Sequence, residues 1–309
     1  MYLLFQFIFG VVRIIGVPRL VWLILIIVFL LVGTFFLILA AALLAWVSVH
    51  PPRIVPRRSG SEIFAYCEEV SFTASDGLVL VGWYFKNPDP QGALVLAHGM
   101  CSNRAQMVPW AEWLFEAGYS LLLFDFRANG ESEGKHCTMG LRECGDVIAA
   151  GGFLREKVGN DGIQMGVVGF SMGGCAAIMA AGRSNLFRAV TILGAYTDLD
   201  TAITQRCIRH FGMFAPFVEI FARSFGERLF PGDAFTESPI SSAESIRCPV
   251  LYVNGGLDRV VLSSNAVTLS DKTAASESLI LQNTSHSYPE GMDDVTYRAR
   301  VLEFFEANL

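Results

Sequence analysis

One serine in this sequence stands where a nucleophile would be expected. The stretch VVGFSMGGCAA, residues 167–177, carries one hydroxyl, that of Ser171, between Gly169 and Gly173. Small neighbours suit a sharp strand-to-helix turn, because larger side chains would collide with the adjacent strand and helix. On such a turn the serine oxygen projects above the sheet edge, and the N–H of Met172, at a helix N-terminus, stabilises an oxyanion. The spacing predicts a nucleophile; a polar residue in a crowded turn is the alternative, since G-x-S-x-G also arises by chance.

A serine hydroxyl is a weak nucleophile near neutral pH, so it requires a base and a carboxylate that orients the base. His286 is the predicted base, because it follows the last strand pattern, where a loop at the sheet edge reaches Ser171. The other four histidines are expected in packing or surface roles: His50, His98, His136 and His210. Among them, His98 ends a strand directly before Gly99, which suits it to shaping a loop.

The orienting acid is predicted at Asp258, just after the strand pattern LYVNG. A role as a helix cap is the alternative, because aspartate commonly caps helices. Asp198 and Asp200 follow the preceding strand and are the fallback acids. The residue types at Ser171, Asp258 and His286 together indicate acyl transfer through a serine nucleophile.

Apolar runs that alternate with helical patterns must position these groups. The buried-strand patterns are ALVLAHG (93–99), SLLLFDF (120–126), MGVVGF (165–170), RAVTILGA (188–195), CPVLYVNG (248–255) and SLILQN (278–283). Helices are predicted near 104–117, near 140–156, over 172–183, after 255 and at the end of the chain. Two alternating runs around Asp76 and Gly77 precede them and are typical of an antiparallel hairpin. Together, these patterns predict an α/β fold with a parallel sheet covered on both faces.

A long uncharged segment, Leu20 to Val49, precedes this domain. At about 1.5 Å per residue its roughly 30 residues exceed the ~30 Å hydrocarbon core of a bilayer, so a transmembrane helix is predicted over 20–49. A cleaved signal peptide is the alternative, but its apolar region would be only about 7–15 residues long. The remaining boundaries are an apolar, interfacial segment at 1–19, a linker at 50–60 and the folded domain at 61–309.

Charge and cysteine content exclude some functions. The net charge of −6 comes without a long basic run, which argues against nucleic-acid binding. The seven cysteines form an odd set without regular spacing, which indicates reduced thiols and slightly favours a cytoplasmic domain. The arginines on the two sides of the apolar segment determine its orientation only weakly: Arg13, Arg19, Arg53, Arg57 and Arg58. None of the cysteines forms a CxxC or zinc pattern, so no metal is predicted.

Two further motifs complete a family pattern. HGMCSNR at 98–104 resembles an oxyanion loop, and DFRANGESEG at 125–134 matches D-x-R-x-x-G-x-S-x-G, with Ala128 stiffening the loop. From Glu68 to Leu309 the chain therefore resembles the α/β-hydrolase superfamily. Its pattern is most similar to single-pass, membrane-anchored members of the serine aminopeptidase (S33) and monoacylglycerol-lipase-like kind.

The resemblance implies a mostly parallel central sheet with helices on both faces, a small helical lid, and the triad order Ser171, Asp258, His286. It implies that the N–H groups of Met100 and Met172 form the oxyanion hole, and that no metal or organic cofactor is needed. Lipases with an H-G-G-G loop have glycine where this chain has Met100, which argues against that lipase group.

The strand alternation lapses between 196 and 243, where this superfamily places its lid. The apolar residues of this insertion are candidates to line an acyl pocket: Phe211, Phe214, Phe217, Ile220, Phe221, Phe225 and Phe230. The alternative is that they pack the lid onto the domain, since apolar residues at helical spacing usually belong to a core.

The predicted function is a membrane-anchored serine hydrolase that cleaves carboxylic esters or thioesters through an acyl-enzyme. A small-molecule or lipid-like acyl substrate is expected, with the N-terminal helix holding the enzyme at the membrane. An aminopeptidase or an acyltransferase with the same triad stays open, because pocket contacts decide the substrate. A non-catalytic binding module with this fold is a further alternative.

Overall fold

A computed structural model describes residues 18–64, 66–159, 162–230, 232–286 and 295–309. Most of the segment predicted as interfacial, residues 1–17, lies outside the described residues. All seven cysteines lie within them, and none of the seven forms a disulfide.

Eight strands form one sheet that supports the whole domain. They are β1 (Cys67–Thr73), β2 (Val79–Phe85), β3 (Gly92–Ala97), β4 (Tyr119–Phe124), β5 (Met165–Phe170), β6 (Ala189–Leu193), β7 (Val250–Gly255) and β8 (Ser276–Leu281). Their spatial order is β1-β2-β4-β3-β5-β6-β7-β8. The pairs β1–β2 and β2–β4 are antiparallel, and all the other pairs are parallel. The predicted hairpin and the predicted parallel sheet are thus confirmed.

Helices cover both faces of this sheet, and others form the N-terminal segment and the insertion. They are α1 (Arg19–Val49), α2 (Gly60–Ile63), α3 (Val108–Glu116), α4 (Glu143–Val158), α5 (Met172–Arg183), α6 (Leu199–Phe211), α7 (Ala215–Leu229), α8 (Pro239–Ala243), α9 (Ser264–Lys272) and α10 (Val295–Asn308). Short 3₁₀ turns at Arg104–Met107 and Gly212–Phe214 lead into α3 and α7. The strand-free insertion therefore consists mainly of α6, α7 and α8.

The burial pattern of the strands explains the two helical layers. Every residue of β3 to β7 is buried, as expected for parallel strands covered on both sides. Alternate residues of β3 enter opposite apolar layers: Val95 joins the core on one face, and Leu94 and Leu96 join the core on the other. The ends of these strands are held rigidly, and the polar loops lie at their carboxyl edge.

Buried ion pairs fix the loops at that edge. Arg104 is 2% exposed, its guanidinium pairs with the Asp125 carboxylate, and its own N–H donates to Asp125 Oδ1 at 2.6 Å. Arg127 pairs with buried Asp146 at 2.6 Å. Each of these cations has a carboxylate partner, which offsets the cost of its burial. The 125–134 motif thus braces the loop that begins at His98.

The long helix α1 has two different parts. None of its residues before Ala41 is buried, whereas Ala41, Ala45, Ser48 and Val49 are buried along one helical face. This face packs on α7 in a small apolar cluster around Ala41. Within the described part of the chain, α1 is the one helix long and apolar enough to cross a membrane, with a mean hydropathy of 3.2 over an 18-residue stretch.

The segment after α1 also contacts the domain. The Arg53 guanidinium donates to the carbonyls of Ser132 and Gly134, both at 2.6 Å. The Cys137 N–H donates to the Val49 carbonyl at 2.7 Å. Arg53 thus holds the segment predicted as a linker against the 125–134 loop, and the bond to Val49 holds the end of α1 against the residues that follow this loop.

Candidate active site

Ser171 occupies a strained turn between β5 and α5. Its backbone has φ 53° and ψ −117°, a conformation that residues other than glycine rarely adopt, and its N–H donates to the Leu193 carbonyl at 2.7 Å. A Cβ atom on Gly169 would lie 2.5 Å from the Gly173 carbonyl oxygen, and one on Gly173 would lie 2.2 Å from a backbone oxygen of β3. The two glycines therefore let strand and helix approach closely enough to form the turn.

Hydrogen bonds link Ser171 to the histidine and the acid predicted from the sequence. His286 Nε2 lies 3.0 Å from Ser171 Oγ, and His286 Nδ1 lies 2.7 Å from Asp258 Oδ2. With Nδ1 protonated toward the carboxylate, Nε2 is free to accept the serine proton. The structure thus brings together three side chains that are separated by up to 115 positions along the chain.

Backbone groups fix the Asp258 carboxylate. Its side chain is fully buried, and Oδ1 accepts the N–H groups of Val260 and Val261 at 2.8 and 2.9 Å. One oxygen therefore caps the local turn while the other contacts His286. Both interpretations of Asp258 considered above therefore find a counterpart in the structure: Oδ1 makes the capping contacts, and Oδ2 contacts His286.

Close packing also orients the imidazole. The rings of Phe170 and His286 lie 5.1 Å apart between centroids. Behind the imidazole, a Cβ atom on Gly194 would approach His286 Cε1 to 3.2 Å. Gly194 also has φ +62°, so both its conformation and its lack of a side chain suit this position.

The two predicted oxyanion donors border the same cavity as Ser171 and His286. Met172 is the first residue of α5, so its N–H points out of the helix end without a helical acceptor. In the loop after β3, the Gly99 N–H already donates to Gln106 Oε1 at 2.7 Å. No acceptor among the described residues engages the next N–H, that of Met100.

The remaining histidines and the fallback acids have other partners. Buried His98 contacts the Gly99 carbonyl through Nδ1 at 2.6 Å and accepts the Phe126 N–H at Nε2, and burial lowers the pKa of His98. It therefore shapes the loop, as predicted. Asp198 caps α6 by accepting the Thr201 N–H at 2.7 Å. Asp200, His50 and His136 have partners other than Ser171, His286 and Asp258. Asp200 pairs with Arg223, His50 stacks on Trp46, and His136 lies against His50.

A cavity of about 480 Å³ opens above Ser171. The insertion contributes one face of α6 to its wall, through Ala202, Arg206, Arg209 and His210. The structure does not bring the predicted lid phenylalanines to this cavity. Phe211 and Phe221 pack in the cluster around Ala41 of α1, and Phe214 and Phe217 are exposed.

Sequence reasoning missed the two arginines of this wall. Ala202, Arg206 and Arg209 are spaced by four and three residues, which places them on one face of a helix. That spacing is a usable signal for a shared face. It does not say which face turns toward Ser171, because the orientation depends on what α7 and α1 pack against.

Known proteins resemble this chain in fold and in part of its sequence. The family model described as serine aminopeptidase, S33, matches residues 88–231. An esterase of Pyrococcus furiosus has a TM-score of 0.72 and 26% identity, with 84% of this chain and 98% of that chain covered. The uncharacterized Bacillus subtilis protein YqkD is 23% identical over 260 residues, which is 80% of this chain and 84% of the relative. A thiohydrolase of Aspergillus aculeatus is 39% identical over 116 residues, which is 37% of this chain and 36% of the relative.

These matches agree with the mostly parallel sheet and the helices around it. The chain has the α/β-hydrolase fold, and residues 88–231 match a family with that fold. The family match and the esterase neighbours support a hydrolase.

Proposed function

We propose that the protein is a serine hydrolase that cleaves carboxylic esters or thioesters through an acyl-enzyme. The observation that carries this proposal is the hydrogen-bonded chain from Ser171 Oγ through His286 to the buried Asp258 carboxylate, at 3.0 and 2.7 Å. A serine alcohol needs such a base, and the base needs such an orienting acid.

The reaction proceeds in two transfers. Ser171 Oγ attacks the carbonyl carbon while His286 Nε2 takes its proton, and the N–H groups of Met100 and Met172 stabilise the oxyanion. The tetrahedral intermediate collapses, His286 returns the proton to the departing alcohol or thiol, and the acyl group stays on Ser171. Water, deprotonated by His286, then releases the carboxylic acid and restores the serine. Losing one oxyanion donor typically lowers kcat by about 10²–10³-fold.

Esters and thioesters are proposed for two reasons. The cavity of about 480 Å³ accommodates a small acyl substrate. The related proteins include one named an esterase and one named a thiohydrolase. The same serine mechanism serves both bonds, because the nucleophile and the oxyanion donors act on the carbonyl, and His286 can return its proton to either an alcohol or a thiol.

The proposal places the enzyme at a membrane through α1. The 31 residues of this helix reach about 46 Å, against a hydrocarbon core of about 30 Å, so roughly its last ten residues would emerge. The buried face of α1 begins at Ala41, within this emerging part. That packing favours a retained anchor over a cleaved signal peptide, and the seven unpaired cysteines favour a cytoplasmic domain.

Sodium carbonate treatment of membranes tests the anchor: an integral protein stays in the pellet, and a cleaved one is released.

Hydrolysis of 4-nitrophenyl butyrate by the full chain in detergent tests the activity. Ser171→Ala should lower kcat by about 10⁶-fold, the effect of removing the serine of a triad, with unchanged thermal unfolding. Ser264→Ala is the matched control, because Ser264 is an exposed serine at the start of α9. Equal activity in the wild type and Ser171→Ala would overturn the proposed function.

A further inference from the structure

The wall of the cavity opposite Ser171 carries positive charge. Arg206, Arg209 and His210 of α6 border the cavity that also contains Ser171 and His286. No aspartate or glutamate among the described residues borders it. A substrate bound to Ser171 would therefore face two guanidinium groups.

Arg206 is less exposed than Arg209 and has no carboxylate partner among the described residues. Its guanidinium donates one hydrogen bond, to Ser48 Oγ of α1 at 3.2 Å, and within the described parts of the chain it forms no ion pair. By contrast, Arg223 pairs with Asp200 at 2.9 Å. Arg206 is half-buried, and this burial, with Arg209 nearby, lowers the pKa of Arg206.

The guanidinium of Arg206 is partly removed from water and has no carboxylate partner among the described residues. Removing a cation from water is unfavourable unless an anion or several acceptors replace the water. Arginine has five N–H donors in a planar fork that matches a carboxylate or phosphate, and one neutral hydroxyl uses only part of them. The unused donors of Arg206 thus favour an anionic oxygen group in the cavity.

We propose that Arg206, assisted by Arg209, binds an anionic carboxylate or phosphate group carried by the ester substrate. This inference rests on the proposed function, since it names the substrate class of that same site. The anion lies on the part of the substrate that extends from Ser171 toward α6. An aminopeptidase substrate would instead bring a positively charged amino group toward these arginines, so the inference favours esters of anionic molecules over aminoacyl substrates.

Two pairs of substrates test the inference and locate the anion. On the acyl side, mono(4-nitrophenyl) adipate is compared with 4-nitrophenyl hexanoate, which lacks the terminal carboxylate. On the alcohol side, 1-hexanoylglycerol 3-phosphate is compared with 1-hexanoylglycerol by the hexanoate released. The full chain in detergent is used, because a fragment starting after α1 would lose the Ser48 contact.

The wild type should prefer the anionic member of at least one pair in kcat/KM. Arg206→Gln should lower that preference by about 10- to 100-fold, as expected for charge-assisted hydrogen bonds, because kcat/KM should fall much more for the anionic member than for the neutral one. Arg228→Gln is the matched control, because Arg228 is exposed on α7 and bonded locally to the Ser224 carbonyl. Ser48→Ala should keep the preference, because it removes a hydrogen bond but not the charge.

The inference would be overturned by the absence of an anionic preference in the wild type, or by a preference that survives in Arg206→Gln. An effect of Ser48→Ala as large as that of Arg206→Gln would also do so, because it would reduce Arg206 to a contact that holds α1. Hydrolysis of the neutral esters tests the proposed function separately. If no ester is cleaved, calorimetric titration of adipate into the wild type and Arg206→Gln still decides the binding: weaker binding in the variant supports the inference, and equal or absent binding rejects it.

Discussion

The cavity above Ser171 has two walls, one at the sheet edge and one on α6, and different interactions hold them in place. On the sheet side, backbone geometry holds each group: a strained turn positions Ser171, and two N–H groups hold Asp258. On the lid side, the wall is one face of α6, whose position depends on how α6 and α7 pack against each other and against α1. Rigid strand ends suit the chemistry, and a packed insertion suits the choice of substrate.

This difference predicts how the two walls respond to substitution. Changes on the sheet side should lower kcat, because the proposed mechanism assigns these groups a role in the transition state. Changes on the lid side should alter substrate preference or the stability of the insertion while the chemistry persists. The following variants would sharpen or break that contrast.

Asp258→Asn should have the largest effect among these variants. The amide keeps the size of the side chain but favours the wrong imidazole tautomer, so kcat should fall by about 10⁴-fold, as in other serine triads. The measurement is kcat for 4-nitrophenyl butyrate. Asp198→Asn is the control, because Asp198 caps α6 and does not contact His286. A loss of less than about tenfold in Asp258→Asn would mean that this carboxylate is only a local cap.

Gly194→Ala should have an intermediate effect. The new Cβ would lie 3.2 Å from His286 Cε1, which should displace the imidazole from Ser171. The alanine would also have to adopt a left-handed backbone conformation, which is unfavourable for residues other than glycine. A displacement near 1 Å typically costs about 10²-fold in rate, so we expect kcat to fall by about 10- to 100-fold. Steady-state kinetics with the neutral ester measures the effect.

Gly152→Ala is the matched control for this change. A Cβ on Gly152 meets no atom within 4 Å, and the residue lies inside α4, where alanine favours the helix by about 0.5–1 kcal/mol. Its activity should therefore equal that of the wild type. Equal activity in Gly194→Ala as well would show that the sheet side tolerates movement of the imidazole.

Ala41→Leu should have the smallest effect, on stability and not on chemistry. Ala41 is fully buried between α1 and α7, so added methyl groups should destabilise this contact by about 1–3 kcal/mol. The measurement is a lower midpoint of thermal unfolding in detergent, with kcat for the neutral ester nearly unchanged. Val32→Leu, at an exposed position of α1, should leave the midpoint in place. Identical midpoints in the two variants would contradict the packing of α1 on the insertion.

The sequence predicted the sheet side well because its motifs encode local backbone geometry. Continuous apolar runs predicted the strands, and β5 matches its predicted range, Met165–Phe170. Gly169 and Gly173 predicted a turn that only small residues allow, and the positions of Asp258 and His286 after their strands placed both at the edge where Ser171 lies. Each of these signals lies within a few residues of the group that it positions.

The lid side was not predictable in the same way. The phenylalanines of the insertion were candidates either for the cavity wall or for packing; Phe211 and Phe221 pack toward α1, and the α6 part of the cavity wall is formed by Arg206 and its neighbours. An amphipathic helix has an apolar face whether it covers a substrate or another helix, so periodicity cannot decide between the two. The contact between α1 and α7 joins segments more than 150 positions apart in the chain and has no local signature.

Mass-spectrometric mapping of a fluorophosphonate adduct tests the central claim most directly. The reagent reacts with a serine only where a neighbouring base activates it, so peptides from the labelled full chain identify the nucleophile. We predict one adduct, on Ser171, that is lost in His286→Ala although this variant remains folded. An adduct on a different residue, or folded protein that takes up no label, would contradict the account.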